Sequence, residues 1–303
     1  MDQYDAGSDS VHAPPAPPLP PGWLARWPWA TFVVPLAVFM LVGSLEPTPP
    51  TAVKTPEVVS SAPGDDLLGV ELPAEAGESD DGTGWFEPRG DRWIPPLRYR
   101  YYPIVYTAKI ALTIVAMLLV WPGYRTFPWR VSPLAFGVGA MGAALWIGLC
   151  KLRLEPELLK PIGLGWLVDS GERSAFNPME QLADNPAWAY GFLAIRLIGL
   201  ALVVPVIEEF FLRGFLMRLV MHDQWQQVPF GTVNRLALFC GTAIPMMMHP
   251  GELLAAAVWF SLVSWLMVRT RNIWDCVVAH ALTNGLMGAY VLAVDTPEAW
   301  RMM

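Results

Sequence analysis

Seven stretches of the chain run apolar for close to the 20 or so residues a helix needs to cross a bilayer. They are Trp27 to Leu45, Tyr101 to Trp121, Ser132 to Cys150, Ala187 to Ile207, Gly231 to Met248, Leu253 to Val268 and Ile273 to Val294. Polar, Pro-rich or Gly-rich segments separate them, and no run alternates with the two-residue period of a half-buried strand. Pro205 closes the fourth run, and a proline inside a helix removes one donor and clashes with the preceding turn. The residues from Val206 onward are therefore expected to start a new turn, which makes seven or eight spans. The predicted fold is all-α, a polytopic helical membrane bundle.

The polar intervals divide the chain. Residues 1–26 carry "APPAPPLPPG" and read as a disordered Pro-rich tail without the charged n-region and cleavage site of a signal peptide. Residues 27–45 form a first transmembrane helix and 46–100 an acidic flexible loop. Residues 101–186 form accessory helices, 187–294 the core that carries the chemistry, and 295–303 a tail. Residues 1–22 and most of 47–84 lack the apolar content to offset the entropy of ordering, so they are expected to be mobile.

Composition sharpens this picture in two ways. Of 303 residues, 54% are apolar and only 16% charged, far from the balance of a soluble domain. The net charge of -7 is local, because eleven acids against three bases lie between Glu46 and Pro96 and the remainder is near neutral. No basic patch with interleaved aromatics is present, which excludes nucleic acid as a ligand class. Cys150, Cys240 and Cys276 lie in apolar runs without metal-ligand spacing and read as small buried hydrophobes. Arg125, Arg130, Arg269 and Arg271 sit in short loops and favour the cytoplasmic side, with the N-terminus inside. Lys151, Arg153, Lys160 and Arg173 then fall outside, against the rule. "FGVGAMGAALWIG" supplies small residues at helical spacing for close helix approach. Lys109 and Arg196, inside apolar runs, are expected to snorkel or to pair within the bundle.

The stretch "VPVIEEFFLRGFL" sets Glu208, Glu209 and Arg213 where charge is expensive. Glu209 and Arg213 are i,i+4 and share a helix face, while Glu208 points about 100° away. The expected ion pair is Glu209 with Arg213, and Glu208 is the carboxylate left for general-base work. One buried cluster holding helices in register explains the three charges equally well. The histidines break the tie. His12 lies in the tail and His222 near a polar turn, but His249 and His280 belong to hydrophobic runs. His280 and Asn284 in "HALTN" are again i,i+4. Two such histidines, an asparagine and a carboxylate on separate segments make a catalytic constellation. Glu252, in "HPGE", reads as a water-facing residue at a helix end.

"EEFFLR", His249 and "HALTN" together resemble, over about residues 187 to 294, the CAAX protease and bacteriocin-processing family, the intramembrane proteases of Rce1 type. "HDQWQQVPFG" and "RTRNIWDCVVAHALTNGLMGAYVL" look most like a bacterial, exosortase-associated branch. The resemblance implies that Glu208 and His249 activate a water, that His280 and Asn284 stabilise the oxyanion, and that Glu209 and Arg213 hold the catalytic helix. It further implies a peptide or lipidated protein as substrate, membrane lipid and exosortase-system proteins as partners, and a bacterial inner membrane. A divalent metal such as zinc is left open, with Glu208, His249 and His280 as candidate ligands, because no H-E-x-x-H helix is present. Pro245 departs from the family pattern, standing where the second motif carries phenylalanine, and is expected to shift the His249 imidazole. It keeps alive a rival reading, a catalytically inactive accessory that binds a sorting partner. A transporter using the same charges as a relay predicts inverted repeats, and none are found in the sequence.

Overall fold

A computed structural model describes residues 18, 20–47, 97–152, 154–163 and 175–302. The tail up to residue 17 and the acidic segment from 48 to 96 lie outside them, so their expected mobility and His12 do too. Within the expected tail, Trp23–Arg26 form a helical turn, and Leu24 is fully buried in the main core.

Seven main helices follow. They are α1 (Ala30–Gly43), α2 (Tyr102–Leu119), α3 (Pro133–Leu152), α4 (Pro186–Leu219), α5 (Arg235–Met247), α6 (Leu253–Thr270) and α7 (Ile273–Val294). Among the described residues five helices are long and apolar enough to cross a membrane, and α1 and α5 are shorter apolar helices. The protein is thus an all-helical polytopic bundle. The expected break at Pro205 is corrected, because α4 is one helical rod of 34 residues. Its hydrogen bonding widens to π geometry over Gly199–Val203, directly before the proline. In that register the Val204 N–H reaches the Gly199 carbonyl, five residues back. The chain passes Pro205 by relaxing the turn instead of breaking it.

The helices run up and down. Antiparallel α1 and α2 meet from Thr31 beside Gly123 to Gly43 beside Lys109. α3 runs parallel to α7, with Gly139 against Ala279 and Gly142 against Thr283. α4 runs antiparallel to α7, from Leu200 beside Asn284 to Glu209 beside His280. The α3–α7 approach depends on glycine, since a Cβ at Gly142 would meet the Trp259 ring and the Thr283 hydroxyl. The Thr283 hydroxyl donates across this seam to the Gly139 carbonyl at 2.8 Å, in a bond shared with its own Ala279 carbonyl at 3.0 Å. With Thr283 turned to α3, the face of α7 that carries His280 and Asn284 is left for α4.

One end of the bundle is tied by side-chain caps. Asp275 accepts from the Ser132 N–H at 2.7 Å and its hydroxyl at 2.9 Å, which fixes the start of α3 on α7. Asn272 caps α7 and donates to the Arg130 carbonyl at 2.7 Å. Arg218 donates to the carbonyls of Gly214, Gln226 and Val228, gathering the α4–α5 loop under the helix end. Arg125, Arg130, Arg269 and Arg271 all belong to this end.

Candidate functional site

The two adjacent glutamates of α4 face different surroundings. Glu209 is completely buried, and its carboxylate is held from two sides. Arg213 Nη1 donates to Oε2 at 2.5 Å, and His280 Nδ1 lies 2.9 Å from Oε1. Arg213 also donates from Nη2 to the Phe260 carbonyl at 3.3 Å, which links α4 to α6. The helix is widened again over Phe210–Leu216, the turn that contains Arg213. The expected Glu209–Arg213 pair is present, and His280 is added to it. This third member was not legible in the sequence, because it comes from 71 residues away.

Glu208 points from the same helix into a cavity of about 780 Å³ inside the bundle. His249, His280 and Asn284 line the same cavity, so the four expected catalytic residues border one space. The mouth lies toward the end where α1 and α7 finish, since Gly43, Glu46, Pro47 and Met302 also line it. Glu208 and His249 are half-buried, whereas His280 and Asn284 are buried.

Each side chain has a local cause for its position. His280 uses Nδ1 on Glu209, which fixes the ring plane and leaves Nε2 as the nitrogen for the cavity. Asn284 donates from Nδ2 to the Leu200 carbonyl at 2.9 Å. That carbonyl is available for a definite reason. In the π register of Gly199–Val203 it awaits the N–H of residue 205, and proline has none. Pro205 thereby leaves a buried acceptor that Asn284 satisfies, and the amide keeps a second N–H.

His249 does not sit on a helix, as its apolar run suggests, but in the turn between α5 and α6. Its Nδ1 lies 2.8 Å from the Pro245 carbonyl, an acceptor only, so Nδ1 carries a proton and donates it there. Pro245 lies inside α5, one turn before its imidazole partner. The backbone carbonyl of residue 245, a group any amino acid would supply there, holds the imidazole at the cavity. The ring packs edge-on to Trp146 at 5.5 Å between centroids, and Phe260 stands against both His249 and His280. Glu155 steadies this corner by accepting from the Leu254 N–H at the start of α6.

Glu252 is half-buried at the N-cap of α6 and is not part of the cavity wall. His222 is exposed and accepts from the Gln224 N–H. Among the described residues no three His, Cys, Asp or Glu side chains stand close enough to hold a metal ion. Glu208, His249 and His280 line one cavity without forming such a group.

The fold and the cavity define a helical membrane protein with a polar site buried in its interior. Residues 190–286, which span α4 to α7 and contain all six singled-out residues, match the family described as Type II CAAX prenyl endopeptidase Rce1-like. The match covers about a third of the 303 residues and makes that segment similar to a family of prenyl endopeptidases. No curated protein and no solved structure matches the chain.

Proposed function

We propose that this protein is an intramembrane endopeptidase in which Glu208 and His249 activate water for attack on a peptide carbonyl. The observation that supports it is the common cavity of Glu208, His249, His280 and Asn284. Glu208, beside a largely apolar wall, takes a proton from the water as its oxygen bonds to the carbonyl carbon. His249 orients that water through its Nε2. Negative charge then develops on the former carbonyl oxygen. The second Asn284 N–H, together with the His280 ring, holds that charge best where bulk water is excluded. Collapse of the intermediate breaks the C–N bond, and the proton on Glu208 passes to the departing amine. No metal takes a step in this scheme.

The substrate is a prenylated or otherwise membrane-associated peptide, in keeping with the family. The resemblance of the α4–α5 loop and α7 to the exosortase-associated branch supports a protein-sorting substrate in a bacterial inner membrane. Arg125, Arg130, Arg269 and Arg271 stand at the end of the bundle opposite the cavity mouth, which favours the cytoplasm for that end by the positive-inside tendency, although Lys151 and Lys160 at the other end count against it. The mouth then opens to the other side. The test is cleavage of a membrane-anchored peptide library by the purified full chain in liposomes. Cleavage by the wild type that is lost in His249→Ala supports the reading. Cleavage that survives the substitution contradicts it.

A further inference from the structure

The cavity has a second polar end that the proposed peptidase chemistry does not use. Arg196, Leu200, Val204 and Glu208 follow one another at four-residue steps along α4, and all four line the cavity. Arg196 is 2% exposed, and a guanidinium carries five donors. Its hydrogen bond is from Nη1 to the Phe176 carbonyl at 2.6 Å, its Nε finds no acceptor, and the group stands 5.8 Å from the Trp300 ring. Among the described residues no carboxylate pairs with it.

Lys109 enters the same end from α2. It is 6% exposed, pairs with Glu46 at 2.5 Å and lies 4.4 Å from the rings of both Phe39 and Tyr106. Two cations thus face one carboxylate. Aromatic faces ease the remaining positive charge but do not neutralise it. A cation buried in a membrane protein without a counter-ion is costly and marks a site that waits for one.

We infer that the Arg196–Lys109 end is a carboxylate subsite of the proposed peptidase, and it rests on that reading for its substrate. Twelve residues of helix separate Arg196 from Glu208, roughly 18 Å at the α-helical rise. An extended peptide covers that span in about five residues. The subsite therefore holds a carboxylate of the peptide about five residues from the scissile bond. The carboxylate is either the chain terminus or an acidic side chain.

Binding without turnover tests this. Fluorescent S-farnesyl-cysteine peptides with one, three, five or seven following residues are titrated into the purified full chain carrying Glu208→Gln. Each is prepared as free acid, as C-terminal amide and as an amide ending in glutamate. The free acid of optimal length is expected to bind about tenfold or more tighter than its amide, as suits a charge-assisted hydrogen bond. Arg196→Met abolishes the preference, Arg196→Lys retains most of it, and Lys109→Met reduces it. If the glutamate-ending amide matches the acid, the site accepts a side-chain carboxylate. If it does not, the site reads the terminus. Equal binding of acid and amide, retention of the preference in both Arg196→Met and Lys109→Met, or no binding by any peptide overturns the proposal. Cleavage by the wild type is scored separately. Acid preference without cleavage sinks the peptidase reading alone, and cleavage without acid preference sinks the subsite alone.

Discussion

Glu208 and Glu209 are neighbours in sequence and opposites in surroundings. Glu209 has no contact with solvent and is tied to Arg213 and His280 within hydrogen-bonding distance. Glu208 is half-buried and lines a cavity large enough for a peptide segment. One helix residue of rotation, about 100°, separates a carboxylate that ties α4 to α7 from one that lines the cavity. The difference teaches that charge inside this bundle has two uses. A fully paired buried charge orients its neighbours. A charge on a cavity wall is placed where a ligand can reach it.

The largest expected effect breaks the paired side of this comparison. Arg213→Ala leaves the Glu209 carboxylate buried without its cation and is expected to cost about 3–5 kcal/mol of stability, read as a lowered melting temperature in detergent. A melting temperature equal to the wild type would mean that Glu209 is not held as described. Gly142→Leu comes next, since it drives a side chain into Trp259 and Thr283 across the α3–α7 seam. Overpacking of this kind costs about 1–3 kcal/mol. Unchanged melting would show that the helices have room to separate.

Asn284→Ala removes the donor to the Leu200 carbonyl, at about 1–3 kcal/mol for a buried acceptor left unmade. The smallest effect is the most specific. Pro205→Ala restores an N–H in the π register, and this should take over the Leu200 carbonyl. A double-mutant cycle between Pro205→Ala and Asn284→Ala is expected to show coupling on the order of 1 kcal/mol. Simple additivity would refute the link between the proline and the asparagine.

Much of the bundle could be read from the sequence because hydropathy in lipid is nearly a complete instruction. Every backbone group must be satisfied within its own helix, so apolar runs of the right length become spans. The i,i+4 pair of Glu209 and Arg213 was equally legible, as was the shared face of His280 and Asn284. Tertiary partners were not. Neither the Glu209–His280 bond nor the Glu155 cap on α6 leaves a periodic signal, since each joins residues about 70 to 100 positions apart. Pro205 was read as a breaker because local sterics say so, but the π turn before it absorbs the missing donor. Pro245 was read as a disturbance for the same reason, and the bond between His249 and its backbone carbonyl left no signal in the sequence. The four-residue step from Arg196 to Glu208 was in the sequence all along, and only the cavity gives it meaning.

The central claim is that Glu208 is spent on chemistry and Glu209 on structure. Parallel melting and peptide cleavage of Glu208→Gln and Glu209→Gln in the full chain test it most directly. Glu208→Gln should melt at or slightly above the wild-type temperature while turnover falls by about 10²–10⁴, the factor expected for a lost general base. Glu209→Gln should lose stability, and its activity should fall with the fold. If Glu208→Gln unfolds as readily as Glu209→Gln, or cleaves at the wild-type rate, the two glutamates are one structural cluster and the division of roles is wrong.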